Sequence, residues 1–188
     1  NFTYELYVKP DKEIDIPAQI HIAPYNYSGA NQNYVIFPEY LNKGTGISIG
    51  NNGLHIFEHG PSYLYPVLSY EFDELIDEYI YITVQYINGI PHLYIDGIYK
   101  ATGINNDENS VHPSAWIGGN VSTQYDWTFY KGYFKSYAIW NYAIDTNNIS
   151  IDSFLNLQGN ETGIIGLWKV TENQEYILDD FTINDNNG

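Results

Sequence analysis

Apolar and polar residues alternate along most of this chain with the period of two that belongs to half-buried strands. Phe2, Tyr4, Leu6 and Val8 fall on one side of the first segment, Thr3, Glu5, Tyr7 and Lys9 on the other, and Pro10-Asp11 ends it. Residues 11 to 32 carry Pro17, Pro24, Gly29 and several Asn, and read as a long surface loop with a short strand over 18 to 23. Tyr34 to Phe37 is a strand stopped by Pro38. Strands at Ile47 to Ile49 and Leu54 to Phe57 flank Asn51-Asn52-Gly53, a hairpin signal. Tyr63 to Tyr70 is a strand interrupted by Pro66, followed by an acidic connection from Glu71 to Glu78. Ile80, Ile82, Val84 and Tyr86 then alternate with Tyr79, Tyr81, Thr83 and Gln85. Asn88-Gly89 turns this strand into Leu93 and Ile95, and Asp96-Gly97 turns the chain again into Ile98 to Ala101. A polar loop from Gly103 to Pro113 precedes strands at Ala115 to Gly118 and Tyr130 to Trp140. Asp145 caps a short helical turn running through Ile149 and Phe154, and Gly166 to Val170 is a last strand. Many short strands, regular turns and little helix predict a β-sandwich. One domain is expected over residues 1 to 183, with 184 to 188 as a frayed tail.

Composition supports a large core and narrows the partners. The chain has 188 residues, 44% of them hydrophobic, with 20 Tyr, 8 Phe and 4 Trp, which suits one sandwich domain. Its net charge of -16 disfavours nucleic acid and anionic membrane surfaces, which need basic patches. It favours neutral ligands, cationic partners or bound calcium. No apolar run approaches the ~20 residues that span a bilayer. There is no Cys, hence no disulfide framework or thiolate metal site. There is also no Met, so the chain reads as a processed or excised domain. Asn-x-Ser/Thr sequons stand at Asn1, Asn26, Asn120, Asn148 and Asn160; an Asn-rich composition produces such triplets by chance, and glycosylation needs a secretory host.

The order of pieces resembles the concanavalin A-like, laminin G-like superfamily over nearly the whole chain. The resemblance rests on Phe2 to Pro10 as the opening strand and on His92-Leu93-Tyr94-Ile95-Asp96-Gly97 as a central hairpin. It continues through Trp116-Ile117-Gly118-Gly119 and the long strand Gly132 to Trp140 with its exit Asn141 to Ile144. The Gly-punctuated run from Gly46 to Gly60, ending Glu58-His59-Gly60, looks like a microbial subgroup attached to surface and glycan-handling proteins. Relatives often carry an Ile-Asp-Glu in the last strand, where this chain has Phe134-Lys135-Ser136. The resemblance implies an all-β jelly-roll β-sandwich of two antiparallel sheets that binds glycans or proteins and often calcium.

Several constellations bear on function. Glu13-Ile14-Asp15-Ile16 resembles the catalytic strand of laminarinase-type glucanases, where two alternating glutamates must stand ~5 Å apart for retaining hydrolysis. Pro17 occupies the second glutamate's position, so that pair is broken. Glu58 and His59 together can hydrogen-bond a sugar, or do acid–base work beside a nucleophile, and no nucleophile motif is visible; equally, both can be satisfied structural groups. His21, His55, His59, His92 and His112 lack zinc-site spacing. Oxygen-bearing side chains at Asn105 to Asn109 and at Asp126 offer calcium-type ligands, or a merely solvated loop. Loop aromatics, Tyr63 and Trp127 among them, can stack on sugar faces.

The expectation is therefore a non-catalytic carbohydrate- or glycoprotein-binding module of an extracellular or cell-surface protein. Asp15, Asn52, Glu58, His59, Tyr63 and Trp127 are its candidate contacts, with calcium as a candidate loop-ordering ion. A structural subunit of a surface layer, fibre or shell, associating with itself, is the alternative. A glycosidase is a third reading.

Overall fold

The computed structural model describes residues 1–16, 32–39, 43–60, 63–105, 110–119, 128–171 and 178–186. The strand expected over 18 to 23, residues 106 to 109, Asp126 and Trp127 lie outside them. In chain order the elements are β1 (Phe2–Pro10), β2 (Asn33–Phe37), β3 (Gly44–Gly50), β4 (Gly53–Gly60), β5 (Tyr63–Glu71), β6 (Ile80–Ile87), β7 (Ile90–Ile95) and β8 (Ile98–Thr102). There follow β9 (His112–Pro113), β10 (Trp116–Ile117), β11 (Thr128–Phe129), β12 (Gly132–Trp140), α1 (Ile151–Leu155) and β13 (Ile164–Lys169). Among the described residues these strands make two sheets. One has six strands in the order β13-β12-β1-β6-β7-β8. The other runs β10-β2-β3-β4-β5, with β11 also paired to β2 and β9 to β3. The chain is the all-β jelly-roll sandwich that its pattern implied.

Alternation explains the layers. Tyr4, Leu6 and Val8 of β1, with Ile82 and Val84 of β6, face Ile47 and Ile49 of β3 and Leu54 and Ile56 of β4 across the main core. The opposite face of the six-stranded sheet carries a second core. There Tyr81, Ala138, Trp140 and Leu167 are covered by Ile144, Ile149, Phe154 and Leu157. A helix as short as α1 has no stability of its own. Ser150 caps it, accepting from Ser153 N at 3.2 Å. Phe154, 1% exposed, stacks on Tyr81 at 5.2 Å, a burial that contributes about 1.5–3 kcal/mol. Asp145 caps the preceding 3-10 turn (Thr146–Asn148) rather than α1 itself.

Two of the three predicted turns have the expected chemistry. Asn88 and Gly89, and likewise Asp96 and Gly97, hold positive φ at both central positions, as two-residue hairpins require. The β3–β4 turn differs. Gly50 pairs with Gly53, so Asn51 and Asn52 form the turn, and neither has positive φ. Tertiary hydrogen bonds replace the local preference: Asn51 N donates to Ile14 O at 2.8 Å and Asn51 Nδ2 to Lys12 O at 2.5 Å. Gly53 is there for close approach, since a Cβ would lie 2.5 Å from Tyr70 O. The chain end is anchored further than its composition suggested: Asn184 Nδ2 donates to Ile165 O at 2.8 Å, and Asn186 O accepts from Trp168 Nε1 at 3.0 Å.

Candidate functional site

The cross-links of the β3–β4 turn build a cleft at one end of the sandwich. Asn52 Oδ1 accepts from Ile16 N and its Nδ2 donates to Ile16 O, both at 3.0 Å. On the other side, Phe72 N donates to Asn52 O at 3.0 Å and Ile76 N to Asn51 O at 2.9 Å. One turn therefore clamps the segment after β1 and the segment after β5. Between them lies a cleft of about 370 Å³ whose walls include Ile16, Asn52, His55, Tyr70, Phe72 and Leu75.

Its chemistry is mixed. Tyr70 and Phe72 are half-buried against the main core and meet edge-on at 6.0 Å between ring centroids, so both rings are fixed while part of each stays open. Leu75 is 71% exposed. Glu71, Asp73 and Glu74 also line the cleft, and all three are exposed. On the wall, His55 Nδ1 lies 2.9 Å from Ser69 Oγ. Fixed rings beside acceptor-only carboxylates suit a ligand with an apolar face and many hydroxyl donors.

The sequence candidates separate into two groups. Asp15 is exposed and does not line this cleft, although it precedes Ile16, which does, and Asn52 is the cleft's clamp. Glu58, His59 and Tyr63 belong to the far end of the β4–β5 hairpin, where Gly60 pairs with Tyr63. From Gly53 to Glu58 the strand covers roughly 17 Å. There the structure places Glu58 and His59 inside the protein, 1% and 4% exposed, and not on a ligand-facing surface. Glu58 accepts from Tyr86 Oη at 3.0 Å, which ties the two sheets together. His59 Nδ1 lies 3.1 Å from Pro38 O, and its ring is edge-on to Phe37 at 6.0 Å. Burial lowers the His59 pKa, outweighing the opposing effect of the Pro38 carbonyl. The reason for this interior placement is that β4 is buried on both faces: Leu54 and Ile56 enter the main core, while Phe57 packs with Tyr34, Phe37 and Leu64 behind the sheet. The Tyr63 side chain and Trp127 lie outside the described residues.

Sequence reasoning missed Tyr70 and Phe72. Their signal was the alternation Tyr70-Glu71-Phe72-Asp73, aromatic against acid at a strand end, which reads equally well as the start of a polar connection. Among the described residues no group of three or more His, Cys, Asp or Glu side chains is placed to hold a metal. The loop oxygens at 106 to 109 and 126 fall outside the described residues.

No protein-family model matches this sequence, and no match is found among curated proteins. Solved structures do share its shape. A Bacteroides ovatus protein proposed to bind carbohydrate superposes with a TM-score of 0.62 at 16% identity, over 95% of this chain and 48% of that one. The binding domain of botulinum neurotoxin serotype D gives 0.52 at 16% identity, over 85% of this chain and 38% of that one. A structure of botulinum neurotoxin type C, reported with its dependence on two ganglioside molecules for cell entry, gives 0.52 at 16% identity, over 84% and 36%. This chain spans less than half the length of each. At such identity the likeness is one of fold, the all-β jelly-roll sandwich described above.

Proposed function

We propose that the chain is a non-catalytic carbohydrate-binding module of an extracellular or cell-surface protein, and that the cleft beside Asn52 takes a neutral saccharide. The observation that carries this is the convergence of Tyr70 and Phe72 with exposed carboxylates in one 370 Å³ cleft. A sugar presents an apolar CH face to the rings and hydroxyl donors to Glu71, Asp73 and Glu74. Those carboxylates repel anionic ligands and so select for neutral ones. The Bacteroides protein and the type C toxin give fold-level support, which is an analogy and not a site. Calcium enters the proposal only as a loop-ordering ion outside the described residues, and no contact above depends on it.

The test is a glycan array with and without chelator on the wild type, Tyr70→Ala, Phe72→Ala and Trp127→Ala. Loss of one stacking ring should weaken neutral-glycan binding about tenfold. Binding that survives both Tyr70→Ala and Phe72→Ala moves the site elsewhere. A chain that binds no glycan but self-associates is the structural subunit instead.

A further inference from the structure

The outer face of the six-stranded sheet is closed over only part of its area. The segment around α1 covers Tyr81, Ala138 and Trp140. Toward the end where β1 leaves and β12 enters, none of the described residues covers the face, which carries Tyr7 of β1, Tyr79 just ahead of β6, and Tyr133 and Lys135 of β12. Tyr7 and Tyr79 lie 5.1 Å apart between centroids, Tyr79 and Tyr133 6.5 Å. Tyr133 is 60% exposed, and Lys135 is exposed beside it. Lys135 Nζ stands 4.4 Å from the Tyr79 centroid and 5.4 Å from that of Tyr7.

A strand irregularity aims that lysine. Tyr7 pairs with Ser136 and Val8 with Phe134, so Lys135 is the extra residue of a β-bulge. Bulges re-aim one side chain while the ladder continues on either side. The result is an ammonium over two aromatic faces with, among the described residues, no carboxylate at ion-pair distance and no hydrogen-bond acceptor. In a chain of net charge -16 with only 7 basic residues, such a cation is unusual. Lys9, cross-strand from Tyr133, and Lys131 add positive charge nearby in the chain. Asp77 and Glu78, exposed just before Tyr79, set the opposite limit and make a polyanion unwelcome. Burial, then the neighbouring Tyr133 and Tyr7, pushes the Tyr79 phenol upward, as expected for three hydroxyls gathered in one place.

We propose that this tyrosine platform is a second ligand site, for a pyranose that carries a single carboxylate. The sugar's CH face stacks on the rings, its carboxylate meets Lys135, and its hydroxyls reach the phenol oxygens. Uronic and sialic acids share this chemistry. The proposal shares with the preceding section the reading of the chain as a glycan binder, but uses different residues and the opposite ligand charge.

The experiment is calorimetric titration at low salt with galacturonate and sialyllactose, each carrying one carboxylate, against galactose and lactose as neutral counterparts. At least one acidic sugar should bind about tenfold or more tightly than its neutral counterpart, and Lys135→Gln or Tyr133→Ala should each remove about tenfold of that affinity. Both side chains are exposed, so the variants should melt like the wild type. Tyr70→Ala should leave acidic-sugar binding intact, and Lys135→Gln should leave neutral-glycan binding at the cleft intact, so the two sites fail separately. Equal affinity for acidic and neutral sugars, acidic-sugar affinity unchanged in Lys135→Gln, or no binding of either acidic probe overturns the proposal. So does a concentration-dependent dimer abolished by Tyr133→Ala, which makes the face a self-interface.

Discussion

Asp180 should hold the end of the chain to β13, and its removal should be costly. Among the described residues its Oδ1 accepts from Leu167 N at 3.0 Å and Thr182 N at 2.9 Å. Its Oδ2 accepts from Thr182 Oγ1 at 2.9 Å, Asn186 N at 3.1 Å and Asn186 Nδ2 at 3.0 Å. In Asp180→Asn the amide oxygen keeps the first pair, but an NH2 group replaces Oδ2. Thr182 Oγ1 can turn to accept from it; the two Asn186 donors cannot. Two hydrogen bonds to a charged acceptor are lost, each worth about 1.5–3 kcal/mol, and solvent partly replaces them because Asn186 is exposed. A net loss of about 2–3 kcal/mol follows, or a melting point lower by roughly 4–12 °C for a chain of this length. Burial raises the Asp180 pKa, but hydrogen bonds from Leu167, Thr182 and Asn186 outweigh it and bring it below the ordinary carboxylate value. The stabilisation is then present above the unfolded pKa of about 4 and lost as pH falls through the folded value. The wild type and variant melting points should converge in that acidic window. Trp168 reports locally, since its Nε1 donates to Asn186 O, and its emission should shift to the red in the variant. A variant that melts within 2 °C of the wild type at pH 7, estimated against that ~4 °C minimum, refutes the reasoning.

Glu5 should behave with the opposite sign. It is 2% exposed; Tyr81 Oη donates to its Oε1 and Trp140 Nε1 to its Oε2 at 2.6 Å. Burial raises its pKa, and these two donors offset that only in part. Its contribution is present below the unfolded pKa of about 4.3 and lost as pH rises through the folded value. Glu5→Gln should therefore match or exceed wild-type stability at pH 7 and lose that advantage near pH 4, by chemical denaturation; a deficit confined to pH 7 contradicts this. Gly46→Ala should lower the urea midpoint by an amount corresponding to about 1–3 kcal/mol, because a Cβ there meets Ile36 O and Pro38 N, backbone atoms that cannot yield. An unchanged midpoint would remove close approach as the reason for glycine.

What was legible in the sequence was what is local. The Asn88-Gly89 and Asp96-Gly97 hairpins follow from residues that tolerate positive φ, and the main core from strict alternation in β1 and β6. The placement of His59 was not legible, because alternation assigns one face of a strand to solvent; Glu58 is in step with Leu54 and Ile56 on the core face, where a carboxylate is out of character. Here His55, Phe57 and His59 on that other face of β4 are buried as well. The cleft and the platform are likewise non-local. Tyr7 and Lys135 meet across β1 and β12, and no period in the sequence links them. A weak signal did exist: Tyr7 and Tyr79 fall in the half of the alternation read as polar, where an aromatic ring is out of place unless something covers or uses it.

The half-closed outer face gives that exposed ring its order. Glu5 pairs with Thr83 on one side and Ala138 on the other, and its two donors come from β6 and β12. A slip of β1 by one residue would turn Glu5 into an apolar core without donors and Leu6 out of it, so the buried carboxylate specifies the register of the central strand. The same register sets Tyr7, two residues on, at the border of the second core. One side of its ring packs against that core, and the other faces Tyr79 and Lys135. A side chain fixed from behind loses little freedom when a ligand arrives. The buried carboxylate of Glu5 serves the fold, and the ring of Tyr7, two residues on, is thereby held in place for the proposed ligand.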